Sequence, residues 1–155
     1  TLDQTESHAM IFKDCICFRL GAVSRKITRH YKDGIAPLGL THGQFFMLVA
    51  LLEEDGAQPS QLADKTALDR PTITGLLDRL ERDGWVERRL DPNDRRTLRV
   101  HLTSKALGQR EDLLAIFETI NGQFLQRFSE TEWVLFQSFL NRLDAGEGHE
   151  VAVSA

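Results

Sequence analysis

Residues 88–99, RRLDPNDRRTLR, place five arginines within twelve positions. Guanidinium groups stay charged, and their forked N–H donors match the oxygens of phosphates, so this cluster predicts contact with an anion. The chain as a whole has a formal net charge of −4. Its charges are unevenly spread, because residues 70–101 hold eight Lys and Arg against six Asp and Glu, while the remainder holds 11 against 17. A local basic patch can therefore bind a polyanion despite the acidic total.

The chain's two cysteines, Cys15 and Cys17, are the other residues that could do chemistry. Side chains two residues apart on one helix point in different directions, so we expect no disulfide between them. The simplest compartment for such thiols is a reducing cytoplasm. Together with His30 and His42 they could in principle bind a metal, but structural zinc usually takes a Cys-x-x-Cys type of pair at a turn. We therefore expect no metal site.

Several classes of protein are disfavoured by the sequence. It has no apolar run of about 18 residues, so we expect no membrane-spanning segment. The first residues, TLDQTESHAMIFKD, lack the basic and apolar regions of a signal peptide. The motifs G-x-S-x-G, G-x-x-x-x-G-K-S/T and H-E-x-x-H are absent. We therefore expect a protein that is not an enzyme and uses no cofactor.

The first half of the chain predicts three helices. Apolar residues recur every three or four positions from Ile16 to Tyr31, which indicates an amphipathic helix ending near Gly34. Thr41 is a good N-cap for the strongly apolar segment that follows it. Ser60 is predicted to cap a short third helix.

A fourth helix is predicted to begin at the N-cap Asp69 and to end at Gly84. One of its faces would be buried, and it consists of Ile73, Leu76, Leu77 and Leu80. The opposite face is polar and basic, and it consists of Arg70, Thr72, Thr74, Arg79 and Arg82. The segments WVERRL and TLRVHL then alternate apolar and polar residues around DPNDRR, which predicts a β-hairpin with arginines on its strands and tip.

Two further helices complete the prediction. Thr103 or Ser104 would start a long helix reaching about Phe128. Ser129 and Glu132 have the spacing of a capping box at the start of the last helix. The predicted fold class is thus mainly α with a small antiparallel β-hairpin.

The order of short helix, helix with a basic face and basic hairpin predicts a winged helix-turn-helix. In such a fold one helix enters the major groove of DNA, and the hairpin, or wing, lays arginines on phosphates or in the minor groove. We predict that double-stranded DNA is the partner. The candidate DNA-binding residues are Arg70, Pro71, Thr72, Thr74, Arg79, Arg82, Arg88, Arg89, Arg95 and Arg96. For Arg99 the sequence predicts no clear role.

The segment LADKTALDRPTITGLLDRLERDGWVERRLDPNDRRTLRVHLT resembles the DNA-binding core of the multiple-antibiotic-resistance regulator (MarR) family. The pattern Asp91-x-x-Asp94-x-Arg96, followed by Val100-x-Leu102-Thr103, carries most of this resemblance, which extends over residues 12–144. It implies that Asp94 orients Arg96 for insertion into the minor groove. A carboxylate beside a guanidinium would fix its fork before binding and reduce the entropy lost on docking.

The resemblance also implies a homodimer within a single domain, 1–155. Helices in 11–36 and 104–144 would form the dimer, and 41–103 the DNA-binding lobe. The sequence supports a dimer independently, because the last helices hold more large aromatic residues than a small core needs: Phe117, Phe124, Phe128, Trp133, Phe136 and Phe139. The alternative is that these side chains fill the core of a monomer.

The first helix is similar to that of the family's organic-hydroperoxide-sensing branch at Cys17, Phe18, Ser24, Arg25 and Tyr31. In that branch tyrosines of the other subunit hydrogen-bond to the reactive thiolate. The match requires a partner subunit here as well, since fourteen residues of helix span about 21 Å. The sequence departs from the branch at His42, where a second tyrosine is expected; a histidine could donate a hydrogen bond to the thiolate instead.

Two other interpretations of Cys17 stay open. It could be a buried apolar filler, or the effector could be a small aromatic or phenolic molecule in a cleft between the dimer helices and the DNA-binding lobe. The sequence thus predicts a cytoplasmic, dimeric repressor released from a pseudo-palindromic operator by a small effector. The alternatives are a thiol-based organic-peroxide sensor using Cys17 and a winged-helix protein-interaction module. A protein-binding wing would have little need for arginines at its tip.

Overall fold

The computed structural model describes residues 11–145 and has a mainly helical fold with one β-hairpin, as the sequence predicts. The helices are α1 (Ile11–Asp14), α2 (Ile16–Ile35), α3 (His42–Glu53), α4 (Pro59–Thr66), α5 (Arg70–Arg82), α6 (Ser104–Gly108), α7 (Arg110–Leu125) and α8 (Glu130–Asp144). A 3₁₀ turn, Ala36–Leu38, follows α2. The strands β1 (Val86–Leu90) and β2 (Leu98–Leu102) pair antiparallel to form the wing.

The chain divides into two compact units, Thr1–Phe117 and Glu118–Ala155. The boundary falls within α7, and so within the segment 104–144 that was assigned to dimerisation. Among residues 11–145 no single helix is long and apolar enough to cross a membrane; one pair, Ile16–Leu38 with His42–Glu53, reaches that length and apolarity only across an 81° bend.

Most predicted helix starts are confirmed. The Thr41 hydroxyl accepts from the backbone N–H of Gln44, and the Gln44 side chain accepts in return from the backbone N–H of Thr41. The Asp69 carboxylate accepts from the N–H of Thr72 at 2.8 Å, and the predicted capping box at the start of α8 is formed. These side chains satisfy N–H groups that have no partner in the first turn of a helix.

Three details of the prediction are wrong. Ser60 is not the N-cap of α4. The N-cap is Gln58, and the helix begins at Pro59, whose missing N–H suits a first turn. The long helix 104–128 is divided at Gln109, whose N–H turns back to the carbonyls of Ala106 and Leu107. The two cysteines do not share one helix, because Cys15 has extended backbone angles and is the N-cap of α2.

The core of the first unit forms around α3, which has eight buried residues in its 12 positions. The predicted apolar face of α5 packs there and is buried along its length, with Ile73 and Leu77 at 1% exposure and Leu80 at 0%. Because that face is buried, the basic face of α5 lies on the surface. The base of the wing joins the same core through buried apolar residues of the hairpin, namely Trp85, Val86, Val100 and Leu102.

The turn between α3 and α4 pairs with β2 through an isolated antiparallel β-bridge, Ala57 with Val100. The N–H of Gly56 donates to the carbonyl of Val100, and the N–H of Val100 donates to the carbonyl of Ala57, each at 2.9 Å. The Asp55 carboxylate accepts from the N–H of Leu102 at 2.8 Å. The base of the wing is therefore held by the helical body as well as by its own ladder.

Gly56 and Gly84 provide a matched test of this turn. Both have φ of +78°, but a Cβ on Gly56 would lie 2.9 Å from Cε1 of His101, whereas a Cβ on Gly84 meets nothing within 4 Å. We expect Gly84→Ala to cost about 1–2 kcal/mol of unfolding free energy from backbone strain alone. Gly56→Ala should cost more, because the added methyl also pushes against the His101 ring.

Chemical denaturation of the two variants, with and without His101→Ala, measures this difference. We expect His101→Ala to relieve part of the Gly56→Ala cost and none of the Gly84→Ala cost. Equal destabilisation by the two glycine substitutions would contradict a tight contact between Gly56 and the His101 ring.

Candidate nucleic-acid interface

The exposed face of α5 is the first part of the candidate interface. The five residues predicted for it are all exposed: Arg70, Thr72, Thr74, Arg79 and Arg82. Neither Arg70 nor Arg79 makes a side-chain ion pair within residues 11–145. Arg82 does, since its Nε donates to the adjacent Asp83 at 3.0 Å. The unpaired cations of α5 are therefore Arg70, its first residue, and Arg79, in its last turn.

Arg88 is bound to α5 and is not free to reach a ligand. Its guanidinium donates to Asp78 at 2.5 Å and to Glu81 at 2.6 and 3.0 Å, and its own N–H donates to Glu81 at 3.0 Å. These bonds hold the pKa of the Glu81 carboxyl below its usual value. Because two carboxylates neutralise it, Arg88 is better described as a brace between α5 and β1 than as the DNA contact expected from the sequence.

The tip of the wing carries the other unpaired cations. Arg95 and Arg96 are exposed and form no ion pair with any residue that the structure describes. Arg89, also exposed, is paired with Glu87 on the same strand. The wing therefore presents two arginines whose charge is available to an anion and one whose charge is shared.

The sequence predicts that Asp94 binds the Arg96 guanidinium, but the structure shows other partners for its carboxylate. One carboxylate oxygen accepts from the backbone N–H of Arg96 at 3.0 Å, and the other accepts from the Thr97 hydroxyl at 2.8 Å. The N–H of Thr97 also donates to the carbonyl of Asp94 at 2.9 Å. Asp94 thus shapes the turn that carries Arg96 and leaves the guanidinium unbound.

Arg99 holds the wing in place, a role that the sequence analysis missed. Its Nε donates to the Asp91 carboxylate at 2.5 Å, and its Nη1 donates to the carbonyl of Gly56 at 3.0 Å. Asp91, only 7% exposed, also accepts from the N–H of Asn93. The bond from Arg99, followed by that from Asn93, keeps the pKa of Asp91 below its usual value. The only signal in the sequence was an acid and a base flanking the predicted turn.

A cleft of about 320 Å³, here called the wing recess, lies between the start of α4, the first residue of α5 and the tip of the wing. It is lined by Gln58, Pro59, Ser60, Arg70, Arg96, Thr97 and Leu98. The structure therefore brings together the first cation of α5 and the predicted groove-inserting arginine, which are 26 positions apart in the chain. Two unpaired cations that line one cleft can bind the phosphate groups of a nucleic-acid backbone.

The predicted sensor residues lie elsewhere in the first unit. Cys17 is exposed, so the interpretation of a buried filler is wrong for the single chain. Tyr31 is 3% exposed, with ring centroids 5.6 Å from Phe45 and 5.1 Å from Phe46. Burial raises the pKa of its hydroxyl. Burial also lowers the pKa of His42, whose ring lies 6.5 Å from Tyr31, so a protonated His42 is disfavoured near neutral pH.

A cavity of about 430 Å³ opens beside these aromatic residues. It is lined by His42, Gly43, Phe46, Met47, Val49, Ala50, Glu53, Lys65, Thr66, Leu68 and Phe117. Its walls are mostly apolar and aromatic, and its charged groups are the ion pair of Lys65 with Glu53, 2.5 Å apart. This size and lining suit a small aromatic molecule. Among the described residues no group of three or more His, Cys, Asp or Glu side chains could hold a metal ion.

Comparison with known proteins identifies the family. The MarR family model matches residues 40–98. The transcriptional repressor YetL of Bacillus subtilis is 30% identical over 123 residues, covering 78% of this chain and 74% of the relative. The organic hydroperoxide resistance transcriptional regulator of the same organism is 30% identical over 113 residues, which cover 73% of this chain and 77% of the relative. The chain belongs to the MarR family.

A further relative and two solved structures extend the comparison. The regulator TtmR of Methylorubrum extorquens is 33% identical over 107 residues, and the chain spans about half of its length, 55%. Among solved structures, CouR of Rhodococcus jostii bound to p-coumaroyl-CoA has a TM-score of 0.77 at 27% identity, covering 90% of this chain and 98% of that one. A cysteine-to-serine mutant of E. coli MarR complexed with operator DNA has a TM-score of 0.73 at 25% identity, covering 86% of this chain and 97% of that one.

Family membership explains the geometry of the interface. This MarR-family chain is a DNA-binding transcriptional regulator, and α4, α5 and the hairpin form its winged helix-turn-helix. The helix presents short threonines between arginines, which allows close approach to base edges, and the wing lies beside it.

We expect Arg99→Met to loosen the wing without unfolding the protein. The substitution removes the bonds to Asp91 and Gly56 but keeps a similar apolar stem. Hydrogen exchange should then quicken at the Asp91 and Thr97 amides, the first of which donates to the carbonyl of Thr97 at 2.8 Å. Arg89→Met is the control. It removes only the ion pair of Arg89 with Glu87 on β1, so exchange at the Asp91 and Thr97 amides should not change.

The pH dependence of the same exchange tests the ion pair. Because the pKa of Asp91 in the folded protein is lowered, its contribution is complete at neutral pH and is lost only as the pH falls through that lowered value, below the ordinary aspartate pKa of about 3.9. Protection of the tip that declined already between pH 7 and 5 would argue against this anchor.

Proposed function

We propose that this MarR-family regulator is a dimeric repressor that binds a pseudo-palindromic operator and is released from it by a small effector. The observation that carries the DNA-binding part is the set of cations left unpaired within residues 11–145 at the interface: Arg70 and Arg79 on α5, and Arg95 and Arg96 on the wing. A protein-interaction module would gain nothing from keeping these charges unpaired and solvated.

The arginines have different roles in this proposal. Arg70, at the start of α5, reaches base edges or the adjoining phosphate, since the first residues of a recognition helix lie deepest in the major groove. Arg96 enters the minor groove from the turn that Asp94 shapes, and Arg95 contacts a phosphate. Arg82 and Arg89 must first give up their ion pairs, so they contribute less. The short side chains of Thr72 and Thr74 let the helix approach the bases closely, and Pro71 stiffens its first turn.

A dimer accounts for the apolar surface that each unit leaves exposed. In the first unit, Ile16 and Val23 lie on one face of α2 and are 57% and 53% exposed; in the second, Leu135 and Phe139 lie on one face of α8 and are 52% and 46% exposed. Such contiguous apolar faces usually mark protein contacts. One winged helix reads a half-site, whereas a two-fold pair reads two half-sites about one helical turn apart. We infer that the protein acts in the cytoplasm, where its operator lies, without enzymatic activity.

The effector part of the proposal rests on the apolar cavity beside α3. Its aromatic lining favours a planar ligand, and Lys65 could pair with an acidic group once it leaves Glu53. The structural neighbour CouR is bound to p-coumaroyl-CoA. We therefore propose a small aromatic or phenolic acid as the effector.

A thiol-based mechanism is the second candidate, and the exposure of Cys17 together with the organic hydroperoxide relative favours it. An organic peroxide would oxidise the thiolate to a sulfenic acid and leave as the alcohol. Tyr31 and His42 are the groups that would face a partner's thiolate in this candidate mechanism.

We expect Arg96→Ala to weaken operator binding by about 1–3 kcal/mol and to lower the slope of log K against log salt by about 1. Arg82→Ala should have a smaller effect on affinity, because Asp83 already neutralises that guanidinium. Fluorescence anisotropy titrations of a selected operator at several salt concentrations measure both quantities. If Arg96→Ala bound as tightly as the unmodified protein at every salt concentration, the wing assignment would be wrong.

Release from DNA distinguishes the two effector mechanisms. Under the aromatic-acid proposal, hydroxycinnamic or hydroxybenzoic acids dissociate the complex of both the native protein and Cys17→Ser. Under the thiol proposal, an organic hydroperoxide releases the native protein and leaves Cys17→Ser bound. Leu68→Trp, which places a ring at the edge of the cavity, should block release by the acids only. A complex that resisted both reagents would rule out both mechanisms.

A further inference from the structure

Two leucines on the wing lie outside any core. Leu90 and Leu98 are directly opposite each other at the outer end of the ladder, and they are 57% and 44% exposed. They lie on the same face of the hairpin as Val86, Val100 and Leu102, which are 1%, 0% and 5% exposed. The buried face of the wing therefore continues past the protein's own core and ends in an uncovered apolar pair.

This apolar pair adjoins the wing recess. Leu98 lines the recess, where it shares the wall with Arg70 and Arg96. A second, smaller space of about 130 Å³ continues beneath Arg70, beside Ser60 and Thr74. The lining of the recess thus combines two cations with an aliphatic side chain, which suits a chain that alternates anionic and apolar groups.

The geometry of DNA indicates which chain that is. In a B-form duplex one sugar-phosphate strand separates a major groove from the minor groove beside it. If α5 lies in the first groove and the wing in the second, that strand must cross the space between them. The wing recess is that space. Arg70 would meet a phosphate, and Leu98, with Leu90 opposite it, would meet the deoxyribose rings, whose edges are apolar because they lack a 2′-hydroxyl.

We propose that Leu90 and Leu98 pack on the deoxyribose rings of the strand that passes through the wing recess, next to a phosphate held by Arg70 and to the point where Arg96 enters the minor groove. This inference rests on the proposed placement of α5 and the wing in adjacent grooves. The leucines act by burying apolar surface, so they fix the position of the strand without displacing counterions. Their contribution to affinity is therefore independent of salt, unlike that of the arginines.

The experiment compares Leu90→Gln, Leu98→Gln and the double variant with Arg70→Ala and Arg96→Ala. Binding to a labelled mixed-sequence duplex of about four helical turns is measured by anisotropy between about 50 and 200 mM salt. We expect each leucine substitution to weaken binding about 3- to 10-fold, as partial burial of one side chain implies, with an unchanged slope of log K against log salt. Each arginine substitution should lower that slope by about 1.

Conservative variants and stability measurements separate this role from a structural one. Leu90→Met and Leu98→Met, which stay apolar, should bind DNA nearly as well as the native protein. Thermal unfolding of all these variants should match that of the native protein, since the leucines are exposed.

The outcomes distinguish this inference from the proposed function. If the native protein bound no duplex, the proposed function itself would fail. If the native protein bound and the double glutamine variant bound equally well, the leucine contact would be overturned, and the pair would serve a protein partner instead. A leucine variant that lowered the salt slope as Arg96→Ala does would also overturn it, because the effect would then come from displaced phosphate contacts.

Discussion

The attachment of β2 to the turn between α3 and α4 is the constraint on which the interface depends. A two-stranded hairpin is at best marginally stable alone in water, yet this wing must hold two cations at a set distance from α5. Backbone bonds between Gly56 or Ala57 and Val100 add a third partner to the sheet. Arg99 extends the same attachment outward by joining Asp91 at the tip to the carbonyl of Gly56. The position of the wing is thus set by the helical core and not by the hairpin alone.

The arginines of the interface fall into two groups because of their partners. Arg88 and Arg99 each make several bonds to the protein and hold α5, the hairpin and the turn together. Arg95 and Arg96 make no ion pair within the described part of the chain and remain available. An arginine that has already been neutralised must lose those bonds before it can bind a phosphate, which reduces or cancels the gain. The five arginines of residues 88–99 therefore suggest more direct contacts with DNA than the structure leaves available.

The cavity beside α3, the proposed effector site, is connected to the wing by the same short segment. Glu53, which pairs with Lys65 at the cavity, is the last residue of α3, and the turn that binds β2 begins two residues later. A ligand that separated this ion pair would act on the end of α3 and so on the support of the wing. The link is a covalent and hydrogen-bonded path of a few residues, so a change at the cavity need not alter the core.

The sequence by itself determined the order and type of most elements, the caps at Thr41, Asp69 and Ser129, and the exposed basic face of α5. These features depend on local contacts and on periodicity, which neighbouring residues encode. It could not place the breaks at Cys15 and Gln109, where helix-compatible residues adopt other backbone angles. The roles of Arg88, Asp94 and Arg99 were decided only by the tertiary structure. A guanidinium reaches any carboxylate within several ångströms, and which one is nearest depends on how the hairpin packs against α5 and the turn at Gly56.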